Sequence, residues 1–346
     1  MTSPLRAVVL GGTGLVGRAV ALRLVREGWR VDVTGRDPAN MPDELAAAGV
    51  SFVRAESREA AQVAAAFGEG ADLLVDCVAY TADDARRLLP FARNATSTVM
   101  ISSKAVYADT AGNHSNSDVA PRFDGPITEA QATVAPLDID YHSREGYGAN
   151  KVAAEQVLLE SGLPVSILRP SKIHGRGAAP AREWVFVKRV LDRRPAVVLA
   201  HRGAGVDHTT AAANIAALVH VVAARPGRRI LNCADPDAPS GLEIARTIAR
   251  ILDHDWEEVL LPGDAAGNVG LYPWDRPHPL VLDLSAATAL GYTPVGDYAA
   301  TVRDMVDWLV EAARGGAATA KLPRGDDPFF EGLFDYEAED RFLASR

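Results

Sequence analysis

The chain has 346 residues, 48% of them hydrophobic and 23% charged, with a formal net charge of −9. That length holds one large or two modest globular domains, and the acidic balance excludes a nucleic-acid binder that works through a broad basic face. No apolar run is long enough to span a bilayer, and residues 1–6 lead straight into a strand with no room for a secretory leader. Cys77 and Cys233 both stand in apolar, strand-like contexts and suggest no disulfide framework, so a reducing cytoplasm is expected.

Residues 7–10 are a short apolar run suited to a buried parallel strand. Gly11, Gly12, Thr13, Gly14, Leu15, Val16 and Gly17 follow. Val16, Ala19, Val20 and Leu24 then recur at helical spacing, Glu27 and Gly28 stop the helix, and residues 30–34 read as a second strand. A glycine turn between strand and helix, inside about 30 residues, is the context in which such a motif binds a dinucleotide. Gly11 permits the tight turn, Gly14 the approach of a pyrophosphate, and Gly17 the close packing of helix on strand. The helix N-terminus offers N–H groups and the positive end of its dipole. Beyond the second strand, Gly35 stands where a ribose-binding acid is expected and Arg36 follows. A guanidinium pairs with a 2′-phosphate, which favours NADP over NAD. Asp37, one small loop shift away, keeps NAD open.

A third strand is predicted over residues 50–53, with Glu56 just beyond it as the expected adenine neighbour. A fourth covers residues 71–79. Its end, from Cys77 through Val78 and Ala79 to Tyr80, is expected beside the cofactor, because ligands in such sheets lie outside the strand C-termini. A fifth, residues 99–103, ends in the hydroxyls of Ser102 and Ser103. Further on, Tyr147 and Lys151 stand one helical turn apart and can reach one ligand. A cation close to a phenol favours the phenolate, which suits proton exchange with a carbonyl or alcohol near neutral pH.

Three stretches together resemble the extended short-chain dehydrogenases/reductases, and most closely the NAD(P)-dependent epimerase/dehydratase family: Gly-Gly-Thr-Gly-Leu-Val-Gly at 11–17, Ile-Ser-Ser-Lys-Ala-Val-Tyr at 101–107 and Tyr-Gly-Ala-Asn-Lys-Val-Ala-Ala-Glu at 147–155. Weaker similarity at 126–129, 165–175, 210–219, 283–292 and 302–309 extends the resemblance over about residues 5–313. The resemblance implies an α/β fold, a Rossmann-type doubly wound parallel sheet with a smaller C-terminal substrate-binding lobe. Residues 1–175 would form the dinucleotide-binding domain, with later segments such as 205–235 returning to it, and 176–313 would be mainly the lobe. It also implies Ser103, Tyr147 and Lys151 as the catalytic set. Pro170 and Ile173 would flank the cofactor, and His174 stands where an aromatic is common. Asn214 replaces an acid usual in the family, which puts a charge role there in doubt.

Residues 109–126 and 136–144 read as long loops beside these residues, the kind that carry substrate recognition. Later predicted elements are a helix over 181–192, strands at 196–199 and 229–233, and a helix opened by Ser240 with Glu243 completing a capping box. Tyr80, Ser103, His174, Trp184 and His208 are the candidate substrate contacts, with Thr81, Arg182, Arg202, Tyr272 and Trp274 as weaker ones. His142, His174, His201, His208 and His278 are scattered without ligand spacing, so no metal site is expected. The tail, residues 314–346, begins with a joint over 315–318. It then mixes acids with Phe329, Phe330, Phe334 and Tyr336, either as a clasp on the body or a neighbour, or as a substrate lid or partner-binding tail.

These features favour an NADP(H)-dependent oxidoreductase that transfers a hydride between a carbonyl and an alcohol. The first alternative is an epimerase or dehydratase of a nucleotide-linked sugar that uses NAD(P) transiently; the second is a non-catalytic cofactor-binding sensor or scaffold. Lys104-Ala105 after Ser103, in place of the acidic pair of recognisable dehydratases, lowers the case for dehydration. The expected partner is a small molecule, a nucleotide-linked sugar or a biosynthetic intermediate, with no nucleic acid and no membrane. A homodimer stays open.

Overall fold

The computed structural model describes residues 3–315, 322 and 327–346, which fall into two units. The first comprises Met1–Ser171, Thr210–Asp235 and Leu282–Val295; the second comprises Lys172–Thr209, Pro236–Val281 and Gly296–Arg346. Up to Ser171 the chain alternates strand and helix: β1 (Arg6–Leu10), α1 (Leu15–Arg26), β2 (Arg30–Gly35), α2 (Asp43–Ala47), β3 (Ser51–Arg54), α3 (Ala60–Phe67), β4 (Ala71–Asp76), α4 (Ala82–Ala92), β5 (Ala95–Ile101), α5 (Arg144–Glu160) and β6 (Val165–Pro170). The second unit opens with β7 (Lys172–His174), α6 (Trp184–Leu191) and β8 (Ala196–Leu199). The chain then returns through β9 (Thr209–Ala211) to α7 (Ala212–Ala223) and β10 (Arg229–Cys233) of the first. Of the rest, α8 (Gly241–Ile251), β11 (Glu257–Leu260), α10 (Tyr298–Thr301), α11 (Arg303–Ala313) and α12 (Tyr336–Ala344) belong to the second unit, and α9 (Ser285–Ala289) to the first.

In the first unit seven strands form one sheet in the order β10-β6-β5-β4-β1-β2-β3, with every neighbouring pair parallel. The apolar runs of β1, β4 and β6 are what a sheet covered on both faces requires. Val8, Leu10, Leu74, Met100, Val165 and Ile167 share one buried cluster with Val63 and Phe67 of α3, Leu88 of α4 and Leu158 of α5. The order reverses between β1 and β4. At such a point the two strands' crossover connections leave for opposite faces and open a crevice at their C-terminal ends.

Three elements differ from expectation. The fifth strand runs over Ala95–Ile101 rather than 99–103, so Ser102 and Ser103 follow it instead of ending it. The fourth strand stops at Asp76 rather than at 79, because the Asp76 carboxylate accepts the N–H groups of Val78 and Ala79 (2.8 and 2.6 Å) and turns the chain out of the sheet. The helix of the second unit starts at Trp184, three residues late. Leu282–Val295 joins the first unit, although the sequence reading left it in the lobe. Val295 N donates to Asn214 Oδ1 at 2.7 Å, and Asn214 Nδ2 donates to Asp235 Oδ1 at 2.8 Å. Asn214 thus knits the returning segments, together with the buried Asp235, whose Oδ1 also accepts Ala211 N at 2.7 Å.

Within the second unit α6, α8 and α11 pack on one another and β8 pairs in parallel with β11. Ser240 and Glu243 form the predicted capping box of α8. Ala338, Phe342 and Leu343 of α12 lie against Ala196, Val198, Val259 and Val269. Beside them the buried Glu339 meets Arg189 at 2.5 Å and Arg194 at 3.5 Å. The expected joint over 315–318 falls, beyond Gly315, outside the described residues. No helix among the described residues is long and apolar enough to cross a membrane.

Candidate active site

The glycine turn lies between β1 and α1 in the first unit. Gly12 N donates to Thr34 O (3.1 Å) and Gly11 N to Thr34 Oγ1 (3.4 Å), so β2 holds the turn in place. Gly11 sits at φ +75°, and a Cβ there would fall 2.5 Å from Val78, which leaves no residue but glycine. At Gly17 a Cβ would lie 2.5 Å from Gly11 O, the close helix-on-strand contact expected of it. Gly14 is different: the nearest atom to a Cβ built on it is Gly11 O at 3.5 Å, and the residue is exposed. It is the N-cap of α1, with no side-chain cap and no acid in the first helical turn. An open glycine at an uncapped helix N-terminus fits a dinucleotide pyrophosphate, with the half-buried Thr13, Leu15 and Val16 beside it.

Arg36, just past β2, is exposed and carries no ion pair among the described residues. Asp37 caps the turn over Pro38–Asn40, its carboxylate accepting Ala39 N at 2.9 Å. Glu56 is half-buried past β3, with its N–H donating to Gln62 Oε1 at 2.9 Å. Cys77, Val78 and Ala79 follow β4 in the turn that Asp76 fixes. Burial pushes the Cys77 thiol well above its ordinary pKa.

The reaction-centre candidates converge from β4, β5 and α5. A Cβ on Gly148 would lie 2.4 Å from Ala105 O, so α5 is in backbone contact with the 3-10 turn Lys104–Val106. Ser103 caps that turn, its Oγ accepting Ala105 N at 3.1 Å, which leaves the one hydroxyl proton to donate. Lys151, only 3% exposed, donates from Nζ to Ala79 O (2.6 Å) and Ile101 O (3.0 Å). An ammonium has three protons, so one remains. Its Nζ also lies 4.3 Å from the centroid of the Tyr80 ring. Burial lowers the Lys151 pKa to about 8, and the charges of Asp76 and Glu155 oppose that fall. Tyr147 is half-buried, its ring 6.2 Å from that of Tyr80.

Sequence reasoning missed two groups here. Asp76 shapes the turn that presents Ala79 O to Lys151; an acid closing a buried apolar strand is the signal that was available. Glu155, four residues beyond Lys151, accepts Ser102 Oγ at 2.5 Å and pairs with Arg169 through bonds of 3.0 and 2.5 Å. The Arg169 guanidinium lies 4.8 Å over the Tyr107 ring, and Tyr107 Oη donates to Asn232 Oδ1 at 2.6 Å. This buried polar chain backs Ser103 and α5.

Pro170 closes β6 in the first unit, buried. Ile173, His174, Trp184 and His208 belong to the second unit. There His174 meets the Tyr298 ring edge-on at 5.0 Å, His208 Nε2 is 3.0 Å from Asp237 O, and Trp184 is buried at the head of α6. Among the weaker candidates, Thr81 caps α4 and Tyr272 Oη accepts Gly205 N at 3.1 Å. Trp274 stacks on Phe186 at 6.1 Å, Arg182 lies 5.4 Å over the Phe329 ring, and Arg202 is exposed at φ +56°.

Residues 7–234 match the model of the NAD dependent epimerase/dehydratase family. Among solved structures, a protein assigned as an epimerase from Burkholderia cenocepacia is 22% identical with a TM-score of 0.68, over 88% of this chain and 98% of that one. A UDP-glucose-4-epimerase from Stenotrophomonas maltophila, with bound NAD and formylated UDP-arabinopyranose, is 18% identical with a TM-score of 0.67, over 90% and 99%. A dTDP-glucose 4,6-dehydratase from Bacillus anthracis, in complex with NAD, is 14% identical with a TM-score of 0.66, over 90% and 98%. At these identities the likeness is one of fold. No protein of curated function matches the sequence.

Proposed function

The chain belongs to the NAD dependent epimerase/dehydratase family, and from that premise we propose that it oxidises and re-reduces an alcohol of a nucleotide-linked sugar, keeping its nicotinamide dinucleotide bound throughout. The observation that carries the reading is the placement of Lys151. It is buried, held by two carbonyls with one N–H to spare, and one helical turn from Tyr147 on the helix that Gly148 brings against the Ser103 turn. When bound, the nicotinamide would take up a hydride from the alcohol carbon and give it back. Tyr147 would draw off the hydroxyl proton as base and return it as acid, help worth ~10²–10⁴ in rate. Lys151 would offer its remaining N–H to the cofactor ribose and stabilise the phenolate through its charge. Ser103 would donate its hydroxyl proton to the reacting oxygen and hold it in line. Solved structures of this fold that hold NAD and a UDP-sugar support the substrate class. Lys104-Ala105 after Ser103 supports epimerisation over dehydration.

Arg36 favours a second reading, net NADP(H)-dependent reduction. It is exposed and carries no ion pair among the described residues, just past β2 where a 2′-phosphate would be met, and the carboxylate of Asp37 is engaged with Ala39. One experiment separates the two. The purified protein is denatured and the released cofactor identified, and the native protein is incubated with UDP-sugars and followed by proton NMR. Released NAD together with sugar interconversion needing no added cofactor is the expected result. NADPH consumed one-for-one with a ketone, with no interconversion, would overturn it in favour of the reductase.

A further inference from the structure

Lys151 has a third neighbour besides its two carbonyls. The face of Tyr80 covers its Nζ at 4.3 Å, and that ring is itself fixed. It stacks on Tyr141 at 5.0 Å with 21° between the planes, and it meets Tyr147 at 6.2 Å and 58°. The Tyr80 backbone is pinned too, because Tyr80 N and Thr81 N both donate to Asp84 Oδ2 at 3.0 Å. Tyr141 comes from the loop leading into α5. Arg58 Nη2 donates to its hydroxyl at 3.2 Å, and Asn150 Nδ2, on α5, donates to Ile139 O at 2.8 Å in the same loop.

We propose that Tyr80 is a positioning residue for Lys151, braced by Tyr141, so that the order of the loop before α5 is passed to the ammonium through two stacked rings. The inference rests on the reading of Lys151 as the cation that meets the cofactor. It moves Tyr80 from the substrate contact expected from sequence into the support of the reaction centre. A cation over an aromatic face is held by the ring quadrupole, and more strongly where water is excluded. The ring is what matters, and the hydroxyl is dispensable. The other groups acting on Lys151 are Asp76 at the end of β4, the neutral Cys77 thiol after it, Asp84 on α4 and Glu155 on α5; Tyr147 stands one helical turn away. The carboxylates of Asp76, Glu155 and Asp84 favour the ammonium, burial opposes it, and the Tyr80 face adds to the favourable side. Loss of the ring therefore lets Lys151 lose its proton at a lower pH.

The test first strips the resident nucleotide from the folded protein, then follows rebinding of NADH or NADPH, whichever binds wild type more tightly, by nicotinamide fluorescence from pH 6 to 10. It uses wild type, Lys151→Met, Tyr80→Phe, Tyr80→Leu and Tyr141→Ala. Affinity in wild type should fall as pH rises through about 8, and Lys151→Met should bind weakly with no such break. Tyr80→Phe should keep the wild-type break, Tyr80→Leu should move it down by about one pH unit, and Tyr141→Ala should move it the same way by less. No binding of either nucleotide, or a break that survives in Lys151→Met, overturns the cofactor role of Lys151 and this inference with it. With that role intact, the inference alone falls if Tyr80→Leu keeps the wild-type break or if Tyr80→Phe shifts as far as Tyr80→Leu. Should Tyr80→Leu not fold, Tyr141→Ala decides, since an unmoved break in this half-buried loop variant overturns the coupling.

Discussion

Glu155 in the first unit and Glu339 in the second are equally buried, each with 2% of its side chain exposed, and each meets an arginine at 2.5 Å. The partner of Glu155 is 14 residues away; Glu155 also accepts Ser102 Oγ beside the candidate reaction centre, and the Arg169 guanidinium lies over the Tyr107 ring. The partner of Glu339 is 150 residues away, and the same Arg189 also bonds Leu333 O and Val185 O, all within the packing of the tail on its own unit. A buried ion pair is weak evidence for net stability, yet removing one partner is costly because the other is left charged and dry. Similar geometry therefore lies beside the candidate reaction centre in one region and fastens the tail in the other.

The largest effect should come from the chemistry itself. Tyr147→Phe is expected to lower turnover ~10²–10⁴-fold with its thermal midpoint unchanged, measured on whichever sugar substrate the NMR assay identifies; unchanged turnover would remove Tyr147 from the mechanism. Next come the two glutamates. Glu155→Ala should cost about 3–5 kcal/mol in urea unfolding and also weaken NADH binding. Glu339→Ala should cost about 3 kcal/mol and leave NADH affinity at the wild-type value. Equal loss of affinity in both variants would break the contrast. Gly148→Ala drives a Cβ to 2.4 Å from Ala105 O, so overpacking should cost about 1–3 kcal/mol, and a crystal structure should show Ser103 displaced from α5. The smallest effect belongs to the second unit. The His201 imidazole, bonded to Asp275 at 2.9 Å and beside Asp264, has its pKa raised above the ordinary value. Its contribution is complete below pH ~6.5 and is lost as pH rises through the raised value. The urea midpoint should thus slip slightly between pH 6 and 8, and His201→Gln should flatten that slope.

How much of this could be read from the chain follows the same division. A parallel strand covered on both faces is a continuous apolar run, and a glycine turn that must pass under a phosphate can use few other residues. β1, α1, β2 and their motif were therefore legible at once. Tyr147 and Lys151 were legible because one helix carries both. Asp76 was not, since nothing in a six-residue strand says that its last carboxylate will fold back on the next two amides. The stacking of Tyr80 on Tyr141 and the meeting of Glu339 with Arg189 join segments far apart in sequence, and no local period encodes them. The return of Leu282–Val295 to the first unit is held by contacts far apart in sequence, Asp283 N to Ile127 O, Asn232 Nδ2 to Asp283 O and Val295 N to Asn214 Oδ1, the last at a position where the family resemblance suggested only a missing charge.

The outer position of β10 has a consequence for how the protein is made. Every residue of β6 is buried, and β10 pairs with it from Arg229↔Ser166 to Cys233↔Pro170. Until residue 233 leaves the ribosome, β6 presents an unpaired row of amides and carbonyls along an apolar edge, and such edges template aggregation. The nascent chain must synthesise β7, α6, β8, β9 and α7 before the strand that shields this edge exists. Slow elongation anywhere between Ser171 and Arg229 would prolong the exposure, so the yield of soluble protein should depend on translation rate and on holding chaperones through that interval.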